Sequence, residues 1–285
     1  MIPIGDDQCR FDHKKLELEI KGIVSKKLGD EETAMMAEED VATKTVPTFV
    51  VATKGFNAGG TPTLFRSYEC MGHNADICSI WEAARATSAA PSFFKPITIE
   101  NPLPKSTYVD GGLQNNNPAE LARAEAQKIW PRAKRFCIVS IGTGRLKAIR
   151  ILSDFKNSSP PKALKMFKWI PGLTTARRVP SGINSAKSIA RACVDLVTNS
   201  EAVHQRLLKE SKSSDPERQF PYHRFNVDRD MQNIGLQEWS KMEEMASHTA
   251  VYMEEGEGVL RLNRCVKDLM NPPEIERKQH FDFLG

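Results

Sequence analysis

The chain has 285 residues, 40% of them hydrophobic, enough for one large or two small globular domains with a sizeable core. Its 40 basic and 36 acidic residues leave a net charge of +4, too mild to imply nucleic acid as a partner. The six cysteines lie far apart, with no Cys-x-x-Cys pair and no histidine at zinc-ligand spacing, so reduced structural thiols and no metal are expected.

Met1 to Asp7 shows no basic stretch leading into an apolar one, and no apolar run approaches bilayer length, which predicts a cytoplasmic location. From His13 to Leu28, the residues Leu16, Ile20, Ile23, Val24 and Leu28 recur at helical intervals before Gly29-Asp30. The spacing predicts an amphipathic helix covering one face of a sheet. An acidic link over 31–40 leads to a strand over 46–53, a turn-rich loop over 54–60 and a second strand over 64–68. Cys78 to Ala90 reads as a helix with Ile80, Trp81, Ala84 and Thr87 on one face, stopped by Pro91.

Thr107-Tyr108-Val109 is β-branched and aromatic, Gly111-Gly112 suits a turn with positive φ, and Pro118 suits the first turn of a helix. Asp110 is therefore expected at the carboxyl end of a strand, where open α/β sheets gather their ligands. An aspartate in such a turn either serves chemistry or merely accepts backbone N–H groups, and the triplet alone favours the second reading. Asn115, Asn116 and Asn117 suit capping of the helix that follows, and Asn116 and Asn117 could instead hold Asp110 from behind.

A helix over 118–130 and a strand over 136–141 complete an alternation that predicts a mostly parallel sheet with helices on both faces. Ser140-Ile141-Gly142-Thr143-Gly144 lacks both the Lys-Ser/Thr ending of a phosphate loop and the third glycine of a dinucleotide fingerprint. It reads as a structural turn, and no cofactor is signalled. Arg66 and Arg85 are expected to pair with Glu82 or another carboxylate rather than to steady a phosphate. His73, His204, His223 and His248 show no ligand spacing and read as structural or surface residues.

Prolines at 160, 161, 171 and 180 break the composition. Residues 1–150 are taken as one part of the chain, 151–182 as a Pro-rich basic loop, and 183–285 as a mainly helical remainder with a strand over 222–227. Within 162–178, Lys162, Lys165, Lys168, Arg177 and Arg178 interleave with Phe167, Trp169 and other apolar residues. That mixture suits peripheral contact with an anionic lipid surface. A solvated loop with Phe167 and Trp169 packed on the domain is the simpler reading. Oligomeric state is not legible.

Several ordered blocks carry a resemblance. They are Thr48-Phe49-Val50-Val51-Ala52-Thr53, Phe65-Arg66-Ser67-Tyr68, the run from Ile80 to Pro91 (IWEAARATSAAP), Asp110-Gly111-Gly112 with Asn116-Asn117-Pro118, and Ser140 to Gly144. Over about 46–144 the chain resembles the patatin-like phospholipases, particularly their calcium-independent branch and fungal relatives. The resemblance implies a three-layer α/β/α fold with a mostly parallel central sheet. It also implies phospholipid or other glycerolipid as substrate, with acyl-ester hydrolysis by a Ser-Asp dyad and without a cofactor. In that family a serine on a Gly-x-Ser-x-Gly elbow attacks the ester and an aspartate in a DGG motif accepts its proton; the motif corresponds to Asp110, Gly111 and Gly112 here.

The sequence departs from that pattern upstream. It holds no Gly-x-Ser-x-Gly, and before Val46 only Gly5, Gly22 and Gly29 occur, singly, so no glycine-rich oxyanion loop can be read. The nucleophile is absent from this chain, and the sheet is expected to lack its first strands. The expectation is a fragment of a longer acyl hydrolase or a gene model that starts late, inactive as it stands. The alternative is a non-catalytic lipid-binding or interaction module of the same fold.

Overall fold

A computed structural model describes residues 11–36, 46–55, 61–70, 78–90, 93–100, 105–133, 136–144, 200–213, 220–227, 231, 234, 238–255 and 257–270. The segment 162–178, the rest of the Pro-rich stretch 151–182 and the first part, 183–199, of the mainly helical remainder lie outside them. The described residues up to 116 belong to one compact unit, and those of 117–144 and 201–270 to a second.

In the first unit, helix α1 (His13–Leu28) starts at Asp12, whose carboxylate accepts the N–H groups of Lys14 and Lys15 at 2.9 and 3.4 Å. It ends at Gly29, which takes φ 90° and donates its N–H to the Ser25 carbonyl. Both ends follow from the terminal orphan groups that a helix must satisfy. Only Val24 is fully buried, and Ile23 and Leu28 are 60% and 56% exposed. The helix packs on a second helix, α2 (Ile80–Thr87), rather than on the sheet as its periodicity suggested.

Helix α2 opens with a carboxylate at its N-terminus: Glu82 reaches back to accept the N–H of Ser79 at 2.9 Å. Ala83 and Ala86 on its inner face are 1% and 0% exposed, and their small side chains let the helix lie close on the strands. Those strands are β1 (Phe49–Lys54), β2 (Thr63–Arg66), β3 (Ile97–Ile99) and β4 (Ser106–Asp110), in spatial order β2-β1-β4-β3. Ala52, Phe65, Cys78, Ala83, Ala86, Ile97, Ile99 and Tyr108 form the core. Phe65 meets Tyr108 edge to face with centroids 5.1 Å apart, a contact worth about 0.5–1.5 kcal/mol beyond the buried area.

The α/β class holds, but the expected mostly parallel sheet is corrected for the described strands. Each of the pairs β1·β2, β1·β4 and β3·β4 is antiparallel. The reason is connection length. Strand β3, which the sequence reading missed because only Ile97-Thr98-Ile99 form it, joins β4 through 100–105, too short for a parallel crossover. The link between β1 and β2, 55–62, is also too short for one.

The second unit contains the parallel pair, β5 (Ile138–Ile141) with β6 (Tyr222–Phe225). Helix α4 (Ala119–Ile129) packs on β5, and a helix described over 200–211, α5, supplies Val203 and Leu207 to a core with Ala119, Ile138 and Phe220. Between β4 and α4 lies a single helical turn, α3 (Gly112–Asn115). In the mainly helical remainder, residues 239–270 form a 3-10 turn (Trp239–Lys241), α6 (Met242–Glu254) and α7 (Glu257–Met270). Among the described residues no helix is long and apolar enough to cross a membrane.

Candidate functional site

Asp110 is the last residue of β4, opposite Ala52 of β1. Its Oδ1 accepts the Gly112 N–H at 2.6 Å, which closes the turn into α3. Its own N–H donates to the carbonyl of Ala89, two residues past α2, at 3.1 Å, which holds it on the side away from β1. The carboxyl is partly buried, and burial lifts its pKa above the ordinary carboxylate range, against the opposing pull of the Gly112 N–H. Among the described residues no basic side chain forms an ion pair with it. A carboxylate with a raised proton affinity at a strand end is suited to take up a proton.

Gly111 and Gly112 are both helical in backbone, not turned to positive φ as the sequence suggested; Gly111 has φ −64° and ψ −22°. Space, not conformation, calls for glycine here. A Cβ on Gly111 would stand 2.2 Å from the Val51 carbonyl oxygen, and one on Gly112 would stand 2.9 Å from Asp110 Oδ1. The strand end therefore lies flush against β1.

The remaining candidates separate. Asn116 is exposed, whereas Asn117 is 2% exposed and its Oδ1 accepts from the Ala119 N–H at 3.3 Å and from Ser140 Oγ at 3.2 Å. Ser140 Oγ in turn accepts from Arg224 Nη1 at 2.6 Å, and the Tyr222 hydroxyl meets His204 Nδ1 at 3.1 Å. Burial lowers the proton affinity of Arg224 and raises the pKa of Tyr222, whose hydroxyl also bonds to Ser140 and Asn117. This polar cluster belongs wholly to the second unit. It escaped the sequence reading because its members lie up to about a hundred residues apart with no spacing to announce them.

Arg85 is fully buried and pairs not with Glu82 but with Glu17 of α1, at 3.2 Å, while its Nη2 donates to the Lys95 carbonyl at 3.0 Å. Arg66 Nη1 donates to the Leu64 carbonyl at 3.4 Å. Imidazole Nε2 of His223 meets Asp268 Oδ2 at 2.8 Å, and His248 lies 3.6 Å from Glu244. Among the described residues no group of three His, Cys, Asp or Glu side chains could hold a metal ion. The described cysteines, Cys70, Cys78, Cys137 and Cys265, form no disulfide with one another.

A carboxylate at a strand end, seated in a glycine turn of an α/β unit, is the kind of site that hydrolytic enzymes use. Comparison with known proteins narrows the class. The family model described as patatin-like phospholipase matches residues 12–123. The calcium-independent phospholipase A2-gamma of Oryctolagus cuniculus is 39% identical over 117 residues, covering 38% of this chain and 14% of that protein. The Homo sapiens protein of the same name is 36% identical over 138 residues, covering 45% of this chain and 16% of that protein. Patatin-like protein 2 of Arabidopsis thaliana is 35% identical over 104 residues, 30% of this chain and 26% of that protein. Over the segment 12–123, which contains Asp110, the chain is similar to the patatin-like phospholipases. It spans 14% and 16% of the length of the two mammalian relatives.

Proposed function

We propose that this segment is the base-bearing part of a lipid acyl hydrolase. Asp110 deprotonates a serine that attacks the ester carbonyl of a phospholipid or other glycerolipid, and then activates the water that releases the acyl group. The observation that carries this reading is the partly buried carboxylate at the end of β4, with its proton affinity raised by burial. Similarity to the patatin-like phospholipases over 12–123 supports the lipid substrate. The 285 residues hold no Gly-x-Ser-x-Gly, so the chain by itself is proposed to lack turnover.

The test is a graft. Residues 12–123 replace the matching segment of the Oryctolagus cuniculus calcium-independent phospholipase A2-gamma, and hydrolysis of phospholipid vesicles is measured with Asp110 and with Asp110→Asn. Activity that depends on Asp110 is expected, with a loss of at least about a hundredfold in the variant. Equal activity of the two would remove Asp110 from the mechanism. The absence of the serine elbow also favours a second reading, a lipid-binding module without chemistry; an inactive graft that still binds the vesicles would support it.

A further inference from the structure

We propose that Thr87 is a positioning residue for Asp110: its hydroxyl, bonded to the Val51 carbonyl beside Gly111, fixes the strand end that carries the carboxylate. The catalytic meaning of this inference rests on the reading of Asp110 as the base; its structural content does not.

The register shows why the strand end needs holding. Strands β1 and β4 pair through Lys54 with Tyr108, Thr53 with Val109 and Ala52 with Asp110, so the next step sets Gly111 opposite Val51. There β4 stops, because Gly111 already has helical φ and ψ and its carbonyl accepts the N–H groups of Gln114 and Asn115. Thr87 Oγ1 donates to the Val51 carbonyl at 2.7 Å, at this last step of the ladder. On the other side β3 reaches only as far as the pair of Ile97 with Tyr108. The Asp110 N–H has outrun it, and the Ala89 carbonyl takes that N–H at 3.1 Å.

Both contacts come from one stretch, Thr87 to Ala89, at the end of α2. A threonine near a helix C-terminus commonly donates to the carbonyl one turn back in its own helix. Here Ser88 does that, to Ala84 at 2.6 Å, while the Thr87 hydroxyl leaves its helix for a strand 36 residues earlier. Ala86 and Ala89, on either side, are 0% exposed, so the stretch is seated on the core. One bond takes the Asp110 N–H of β4 and the other the Val51 carbonyl of β1 that faces Gly111, so the stretch holds the end of β4 against its neighbouring strand.

The experiment uses the 285-residue chain as wild type, Thr87→Val, Thr87→Ala and Thr87→Ser. Amide exchange at Asp110 and the titration of its labelled carboxyl carbon are followed by NMR. Loss of the donor in the Val and Ala variants is expected to speed Asp110 exchange about tenfold and leave the β1–β2 ladder unchanged. The carboxyl midpoint should move down toward the ordinary range as water reaches it, and the Ser variant should match wild type. The inference is overturned if the Val and Ala variants match wild type or if the Ser variant behaves as they do. It is also overturned if the Val and Ala variants lose protection throughout β1–β2, which would make the bond a general staple of the sheet. In the phospholipase graft, Thr87→Val is expected to lower kcat with KM little changed. Full activity of the Asp110→Asn graft would instead refute the base assignment and leave the exchange result standing.

Discussion

The carbonyl oxygen of Val51 fills the space that a side chain at Gly111 would need, 2.2 Å from where its Cβ would stand, with the carbonyl carbon 2.5 Å away. Both atoms belong to a paired strand and cannot swing aside. Gly111→Ala is therefore expected to cost roughly 2–3 kcal/mol, the range of an overpacked core. Gly29→Ala supplies the contrast, since Gly29 has φ 90° but open space around it; the conformational penalty alone should cost about 1 kcal/mol. Denaturant midpoints of the two variants check the order.

Asp110 lowers stability when it ionises. Its folded pKa lies above the unfolded value because of burial. The fold thus favours the protonated acid, a contribution present below the unfolded pKa and lost as pH rises through the raised folded pKa. Asp110→Asn should then stabilise the chain at pH 7, and the gain should vanish in acid, below the ordinary carboxylate range. Thermal melts across pH test the sign, and a variant less stable than wild type at pH 7 would contradict it.

Arg85 is a buried cation whose partner, Glu17, keeps 27% of its side chain exposed. Removing the guanidinium leaves a cavity, and removing the carboxylate leaves a bare charge. Arg85→Ala is expected to cost roughly 3 kcal/mol and Glu17→Ala roughly 2 kcal/mol, whereas Arg85→Met, which refills the volume without a charge, should stay within about 1 kcal/mol of the parent. A double-mutant cycle over the two positions measures their coupling.

Asn117 serves two partners at once, the first turn of α4 and the Ser140 hydroxyl. Asn117→Ala should cost about 1–2 kcal/mol through the lost cap and the unmet hydroxyl. Its exposed neighbour provides the control, and Asn116→Ala should fall within about 0.5 kcal/mol of wild type. Urea unfolding monitored at the tryptophans separates them.

The sequence carried the local signals well and the long-range ones poorly. Asp12 and Gly29 bound α1, Ser79 and Glu82 open α2, and Asp110 ends β4 before a helix, all readable because each rests on residues adjacent in the chain. The direction of the strands was not readable. Helix and strand alternate in sequence whether or not a three-residue strand such as Ile97–Ile99 intervenes, and that strand reverses the expected direction of pairing. The glycines were identified for the wrong reason, since a close approach between β1 and Gly111 depends on tertiary packing and leaves no mark on the turn itself. Thr87 stood in the open as one member of a helix face, and only the fold shows its hydroxyl crossing to Val51.

The link between Arg85 and Glu17 sets a limit on how the chain can be cut. The strands, Asp110 and α2 all follow residue 46, so an expression piece that starts there would seem to contain everything of interest. Such a piece would lack the carboxylate facing a guanidinium that is 0% exposed, and would lay bare the face of α2 on which α1 rests. The smallest piece that folds by itself must therefore begin at or before Asp12, where the cap of α1 is supplied.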